Sequence, residues 1–171
     1  MSAAARPAVL PAPALERRDS LGRRIAMTWE SAPDSAPTRG ARWLVAVDGS
    51  ACAARATAAM VRLAAMGQSQ GVDLVNVQPW LGKEAAETEL QRYGWEATHQ
   101  ARQLLDEAAI AWRLHVVMGE AATSIVQLAE ALDSLGICLG THGHTPAKAA
   151  LLGSVSSKVL QWAQVPVLLV R

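Results

Sequence analysis

The chain has 171 residues, of which 51% are hydrophobic, and its formal net charge is +1. This length predicts one domain with a sizeable core, and the near-neutral charge gives no electrostatic basis for binding to nucleic acid or to a membrane surface. Two cysteines are too few for a disulfide framework, and no apolar run reaches the roughly 18 residues of a membrane span. A reducing cytoplasm is therefore the predicted compartment.

The first 41 residues differ in composition from the rest. They hold five of the eight prolines together with clustered charges, and they show little periodicity. Such a composition is typical of a segment that buries too little apolar surface to fold. We therefore predict a flexible leader over 1–41, with nothing structural before Met27, and a folded domain over 42–171. An organellar transit peptide is an alternative, because the leader is rich in arginine and poor in acidic residues.

Beyond the leader, short apolar runs alternate with amphipathic segments. Strands that alternate with helices pair in parallel through right-handed crossovers, so we predict an α/β fold, a three-layer sandwich around one open, mostly parallel five-stranded sheet. The predicted strands span 43–47, 72–77, 114–118, 135–139 and 167–170, and the predicted helices span 51–66, 84–111, 120–133 and 154–163.

Ligands of open α/β sheets bind beyond the carboxyl ends of the strands, at the point where the strand order reverses. Asp48 follows the first predicted strand, and a glycine-rich loop that begins at Gly140 follows the fourth. If the strand order is 3-2-1-4-5, these two strands are neighbours. Asp48 and the loop then flank one crevice.

The loop contains Gly140, Gly143 and Gly153 and runs into a helix with Ser154 as the predicted N-cap. The start of a helix presents unpaired N–H groups and the positive end of a dipole, which favour an anion, most often a phosphate. Neither a Walker sequence nor G-x-G-x-x-G is present. The alternative interpretation is a set of turn glycines without a ligand.

Two histidines and two lysines lie in or near this loop. His142 and His144 lack the further ligands that a zinc site needs, so we interpret them as side chains that rim a ligand. Lys148 and Lys158 are candidates to contact a phosphate, and the alternative for each is a solvated lysine.

The cysteines and serines give little support for catalysis. Cys52 begins a predicted helix, where a thiolate is favoured, but a packing role is the simpler interpretation. Cys138 falls inside an apolar strand and is predicted to be core. Ser154 and Ser156 have no obvious base beside them, so no catalytic residue and no metal ligand is assigned.

Together these segments resemble the universal stress protein family, over about 130 residues. The resemblance rests on the spacing Gly140-x2-Gly143-x9-Gly153-Ser154, which matches the ATP-binding branch of the family, and on the segments 44–50, 76–77, 115–120 and 164–170. It implies an adenine nucleotide alpha hydrolase-like fold with strand order 3-2-1-4-5. It also implies a homodimer paired through the C-terminal strand Val167–Val170.

The resemblance implies a site residue by residue. Asp48 and Val77 are expected at the adenine end of ATP, and Gly140 and Gly143 against the ribose and phosphates. The phosphates are expected against the start of the last helix, at Gly153, Ser154, Val155 and Ser156.

The predicted function is an ATP-binding protein, with Mg²⁺, that acts in stress response or signalling through nucleotide-dependent conformation or partner binding. One alternative is an enzyme that hydrolyses ATP slowly or phosphorylates itself, for which Asp48 and Ser154 or Ser156 are the candidate residues. Another is a nucleotide-free dimeric adaptor. AMP or a cyclic nucleotide in place of ATP is not distinguished by these residues.

Overall fold

The computed structural model describes residues 10–32, 40–144 and 152–171. In these ranges the chain forms one mixed sheet and five helices. The strands are β1 (Leu15–Arg18), β2 (Arg24–Glu30), β3 (Trp43–Ala46), β4 (Val72–Gln78), β5 (Trp112–Met118), β6 (Ile137–Gly140) and β7 (Val167–Val170). The helices are α1 (Ala51–Ala65), α2 (Lys83–Ala97), α3 (His99–Glu107), α4 (Ala121–Ala131) and α5 (Ser154–Trp162).

The sheet has the order β1-β2-β5-β4-β3-β6-β7. Strands β3 to β7 are parallel. β2 pairs antiparallel with β5, and β1 pairs antiparallel with β2 at the edge of the sheet. The α/β prediction is confirmed. The predicted order 3-2-1-4-5 corresponds to β5-β4-β3-β6-β7, but the prediction of five strands is wrong because the sheet has seven.

The core lies on both faces of the sheet, as a three-layer sandwich requires. Alternate residues of β5 pack under α1, α2 and α3, where the buried helical residues include Met60, Leu90 and Leu105. The opposite face packs under α4 and α5, with Ile125 and Val159 at the centre. None of the helices in the described ranges has the length and apolar character needed to cross a membrane.

The prediction of a flexible leader is wrong for residues 15–30, because these residues form the β1–β2 hairpin. Met27 and Trp29 point from β2 into the core under α1, α2 and α3, and β2 pairs with β5 through five residues from Ala26 to Glu30. The ring of Trp29 lies 5.5 Å from that of Trp95 on α2. The hairpin is therefore held by partners far along the chain, which its local composition does not reveal.

The prediction of a single helix over 84–111 is also wrong, because Thr98 separates α2 from α3. The Thr98 hydroxyl donates to the carbonyl of Gly94 at 2.7 Å, and its backbone has φ −100° and ψ 3°. A hydroxyl that bonds the carbonyl four residues earlier competes with the helical ladder. The interruption lets Arg102 on α3 stack on Trp95, with its guanidinium carbon 3.5 Å from the ring centroid.

Candidate functional site

A cavity of about 560 Å³ opens at the carboxyl ends of β3 and β6. These strands are parallel neighbours, so the loops that leave them diverge at the same edge of the sheet. All eight residues selected from the sequence line this one cavity: Asp48, Val77, Gly140, Gly143, Gly153, Ser154, Val155 and Ser156. The predicted crevice is thus present in the fold.

The Asp48 side chain lines the cavity and also forms a hydrogen bond with the backbone of its own loop. Its Oδ1 accepts a hydrogen bond from the backbone N–H of Ser50 at 2.9 Å, and the Ser50 hydroxyl in turn caps α1 by accepting from Ala53 N–H at 3.2 Å. This Asx-turn fixes the direction of the carboxylate at the start of the helix. The structural interpretation of Asp48 is therefore confirmed, while its contact with a ligand stays a prediction.

Asn76 restrains the backbone that follows β3, although its side chain does not line the cavity. Its side-chain amide donates to the carbonyl of Val47 at 2.7 Å, and Gln78 donates to the Asn76 side-chain oxygen at 2.6 Å. Val47 immediately precedes Asp48, so this chain of hydrogen bonds restrains the backbone that carries the carboxylate. Sequence analysis placed Asn76 in a strand but gave no signal for this contact.

The middle of the cavity has apolar walls. Val77 and its neighbours form one side, and α4 contributes a second wall that sequence analysis missed, since it depends on how α4 packs over the sheet. The apolar lining includes Ala46, Val75, Val77, Ala121, Ile125 and Leu139. Apolar walls of this kind suit an aromatic ring system.

The opposite end of the cavity is the start of α5. The predicted N-cap at Ser154 is wrong by one residue, because Gly153 occupies the N-cap and Ser154 is the first helical residue. The first helical hydrogen bond runs from Ser157 N–H to Gly153 carbonyl at 2.9 Å. The N–H groups of Ser154, Val155 and Ser156 thus precede the hydrogen-bond ladder and carry the positive end of the helix dipole.

Ser156 supports the turn at this helix start. Its buried hydroxyl donates to the carbonyls of Thr141 and Gly153 at 2.9 and 3.0 Å, while Gly153 N–H donates to Thr141 at 2.8 Å. The end of β6 and the start of α5 are therefore tied together. Of the two serines, Ser154 is the exposed one.

Two of the glycines are needed because other groups approach their Cα atoms closely. A Cβ at Gly140 would lie 2.5 Å from Cys52 Cβ and 2.9 Å from the Cys52 backbone carbon, so β6 ends in direct contact with α1. A Cβ at Gly143 would lie 2.6 Å from Asp48 Oδ2. Gly140 thus serves packing between elements, whereas Gly143 lets the two loops meet across the cavity.

The histidines line the cavity, as predicted for rim residues. His144 Nε2 lies 2.7 Å from the carbonyl oxygen of Asp48, and His142 Nδ1 lies 3.0 Å from the Thr141 hydroxyl. A carbonyl oxygen only accepts, so Nε2 of His144 carries the hydrogen. Among the described residues, no group of three or more metal-binding side chains is present.

The model of the universal stress protein family matches residues 41–171. The chain belongs to this family. It is 31% identical over 104 residues to universal stress protein MJ0531 of Methanocaldococcus jannaschii, a match that covers 57% of this chain and 61% of that relative. It thus spans less than two thirds of that relative's length.

Solved structures of universal stress proteins share the fold. The protein of Archaeoglobus fulgidus in complex with dAMP has a TM-score of 0.63 at 22% identity, covering 78% of this chain and 100% of that one. A universal stress protein in complex with cAMP has a TM-score of 0.58 at 21% identity, covering 78% and 98%. At these identities the likeness establishes the fold alone.

Outside the cavity wall, Lys158 of this universal stress protein forms an ion pair with Glu120 at 3.0 Å rather than lining the site. The backbone N–H of Thr123, its hydroxyl and Lys158 lower the pKa of Glu120 to about 2. Lys148 lies outside the described residues, as does the loop interior 145–150.

The two cysteines of this family member are free thiols. Cys138 is buried in β6, as predicted, and burial raises its pKa to about 12. Cys52 lies in the first turn of α1, where Arg55 Nη2 approaches its sulfur to 2.9 Å. Its contact with Gly140 supports the packing interpretation.

Proposed function

We propose that this universal stress protein binds an adenine nucleotide, principally ATP with Mg²⁺, and that occupancy alters its conformation or its choice of partner in a stress response. The main support is that all eight residues selected from the sequence line one cavity. The Asp48 carboxylate lies at one end of this cavity and the start of α5 at the other. Its volume of about 560 Å³ falls in the range of small-molecule sites. Two solved proteins of the same fold are complexes with dAMP and cAMP, which favours an adenine ligand.

In this proposal Asp48 and Val77 hold the adenosine end. A carboxylate only accepts hydrogen bonds, so Asp48 pairs with an amino or hydroxyl group of the ligand. The apolar side chains of Val77 and Ile125 cover the faces of the base. This division places the polar and apolar parts of a nucleoside against matching surfaces.

The phosphates lie against the start of α5. The N–H groups of Ser154, Val155 and Ser156 donate to phosphate oxygens, Gly153 and Gly143 allow close approach, and the exposed Ser154 hydroxyl adds a further donor. Gly140 places the end of β6 against α1, and in this way it sets the direction in which the loop leaves the strand. Mg²⁺ is held chiefly by the phosphates and water, as is usual for this ion in nucleotide sites, and no protein ligand is assigned to it.

We assign no catalytic residue. The Ser156 hydroxyl already donates to the carbonyls of Thr141 and Gly153, and so it is not available as a nucleophile. Binding and signalling therefore remain the preferred function over hydrolysis. We infer a cytoplasmic location from the two free thiols.

We further propose a homodimer through β7. Among the described strands, β7 forms one edge of the sheet, and its residues Val167–Val170 are half-buried. Leu160 and Trp162 on the neighbouring α5 are 49% and 41% exposed. An apolar edge strand is an aggregation hazard unless a partner covers it, and a two-fold dimer covers it on both copies.

Calorimetric titration tests the binding proposal with two variants that both lack the Ser154 hydroxyl, of which only one also lacks the backbone N–H. Ser154→Pro removes an N–H without disturbing the helix, because proline is favoured at the first helical position and Gly153 already has the extended φ −63° and ψ 159° that precedes proline. Ser154→Ala removes the hydroxyl but keeps the N–H. We expect Mg-ATP, ADP and AMP to bind progressively more weakly. We expect Ser154→Pro to bind Mg-ATP about tenfold or more weaker than Ser154→Ala, as for a lost hydrogen bond to a charged group.

Equal affinities of the two variants would contradict the placement of phosphates at α5. Absence of heat with every adenine nucleotide, on folded protein, would favour the nucleotide-free adaptor. Steady phosphate release that Asp48→Ala abolishes would favour the hydrolytic alternative.

A further inference from the structure

A second cavity, of about 450 Å³, lies on the other side of α4 from the proposed nucleotide site. Ala121 of α4 lines the nucleotide cavity, whereas Ser124 and Leu128 of the same helix line the second cavity. Val77 on β4 and Val117 on β5 are register partners on one face of the sheet, and each lines a different cavity. The helix α4 is therefore a wall that both cavities share.

The second cavity lies where the helical layer on this face of the sheet is incomplete. Among the described residues, α2 packs on β2 and β5 from the opposite face, while α4 packs on β4. On the α4 side, Arg17, Ala26 and Val117 form one register row across β1, β2 and β5. Those strands span two strand spacings, about 10 Å, which is close to the diameter of one helix. The small side chain of Ala26 in the middle of the row leaves room for such a helix.

The charge of the second cavity comes from Arg17. The other arginines of the hairpin, Arg18, Arg23 and Arg24, each form an ion pair with a carboxylate. Arg17 is exposed, lines the cavity, and forms no ion pair with any residue that the structure describes. The one carboxylate in the described lining, that of Glu120, is already in an ion pair. An unpaired guanidinium in the wall favours a partner that supplies a carboxylate.

The rest of the lining combines apolar surface with free hydrogen-bonding groups. Trp80 lines the second cavity with its indole 59% exposed, and Val117 and Leu128 add aliphatic surface from the sheet and from α4. The side chains of Ser124 and Gln127 form no hydrogen bond within the described part of the chain. Apolar surface flanked by polar groups suits the apolar face of an amphipathic helix.

We infer that the second cavity binds an acidic amphipathic helix of a partner protein, which completes the helical layer beside α4. The apolar face of this helix packs on Trp80, Val117 and Leu128, and one of its carboxylates pairs with Arg17. The inference deepens the partner-binding part of the proposed function. It rests on that function for its coupling to the nucleotide, because α4 is the wall through which occupancy of one cavity reaches the other.

Peptides of about 15 residues, selected by display on the full chain, are the probes, since this length is enough for a helix. Fluorescence anisotropy measures the affinity of each selected peptide for the unaltered chain, Arg17→Glu and Trp80→Ala, with and without Mg-ATP. Arg62→Glu is the matched control, because Arg62 is likewise exposed and without an ion pair among the described residues but lies on α1, on the opposite face. Urea unfolding checks that each variant is folded.

We expect the selected peptides to be acidic, with apolar residues at helical spacing. Arg17→Glu should weaken their binding about tenfold or more, because like charges then face each other, and lysine in place of the peptide carboxylates should restore it. Trp80→Ala should also weaken binding, whereas Arg62→Glu should not.

Two results would overturn the inference and leave nucleotide binding standing. One is that a chain that binds Mg-ATP selects no acidic peptide, and the other is that Arg17→Glu and Arg62→Glu lose equal affinity. Peptide binding that depends on Arg17 but is the same with and without Mg-ATP would support the docking site. That result would contradict the partner-choice part of the proposed function.

Discussion

The guanidinium of Arg113 donates two hydrogen bonds to the carboxylate of Asp73, from Nε to Oδ1 at 2.6 Å and from Nη2 to Oδ2 at 2.7 Å. The two residues are register partners on β5 and β4, and Asp73 is only 1% exposed. Burial raises the pKa of Asp73, but the His115 ring, whose Nε2 lies 3.6 Å from Oδ1, and the hydrogen bonds from Arg113 outweigh it and hold the pKa below its usual value. The pair therefore fixes two central strands in one register.

Replacing one member of this pair should be costly. We expect Asp73→Ala to lower the free energy of unfolding by about 3–5 kcal/mol, because Arg113 then remains largely buried without its counter-charge. Urea unfolding measures the change. The double variant Asp73→Leu/Arg113→Met should recover most of the loss, and a double variant as unstable as the single one would contradict this account.

The cap of α4 makes stability depend on acid. Glu120 accepts hydrogen bonds from Thr123 N–H and Lys158, and its pKa falls from 4.5 to about 2. A carboxyl group with a lowered pKa stabilises the fold above its unfolded pKa, and this contribution is lost as the pH falls through the folded pKa. We therefore expect Glu120→Gln to flatten the fall in unfolding free energy between pH 4.5 and about 2.

Urea unfolding at several pH values in this window measures that slope. Because Glu120 is well exposed, the effect is a modest part of the whole acid dependence. Glu130→Gln, on the exposed C-terminal part of the same helix, is the matched control. The same slope in both variants would remove Glu120 from the explanation.

The hairpin depends on one tryptophan. Trp29 is 3% exposed, lies 5.5 Å from Trp95, and donates from its indole to the carbonyl of Pro11 at 3.0 Å. We expect Trp29→Ala to cost about 3–5 kcal/mol and to increase amide exchange first in β1 and β2. Trp80→Ala is the control, since that ring is 59% exposed. Exchange that accelerates equally across the sheet would argue against a locally held hairpin.

Gly140 should tolerate no side chain. We expect Gly140→Ala to destabilise the fold by about 1–3 kcal/mol, because the added methyl group meets Cys52 at the start of α1. Thermal unfolding measures the loss. Gly82→Ala offers a comparison, since nothing lies within 4 Å of a Cβ added at Gly82. Equal stability of the two variants would refute the close approach.

The central strands and the cavity were predictable because their signals are local. Apolar runs predicted β3 to β7. Asp48, which follows β3, and Gly140, which ends β6, lie at the same edge of the sheet once the strand order is known. The hairpin was not predictable from the same reasoning, since its stability comes from β5 and α2. The role of Gly140 in packing on Cys52 is likewise non-local, and so is the second cavity wall from α4.

The β1–β2 hairpin also has a consequence for how the chain is made. Thr28 and His115, paired in adjacent strands and joined by a side-chain contact at 3.2 Å, are 87 positions apart. At synthesis rates of roughly 5–20 residues per second, the strand that completes β2 leaves the ribosome about 4 to 17 s after it. The hairpin is thus translated well before the strand on which it docks, and Met27 and Trp29 are without their core partners until β5 follows.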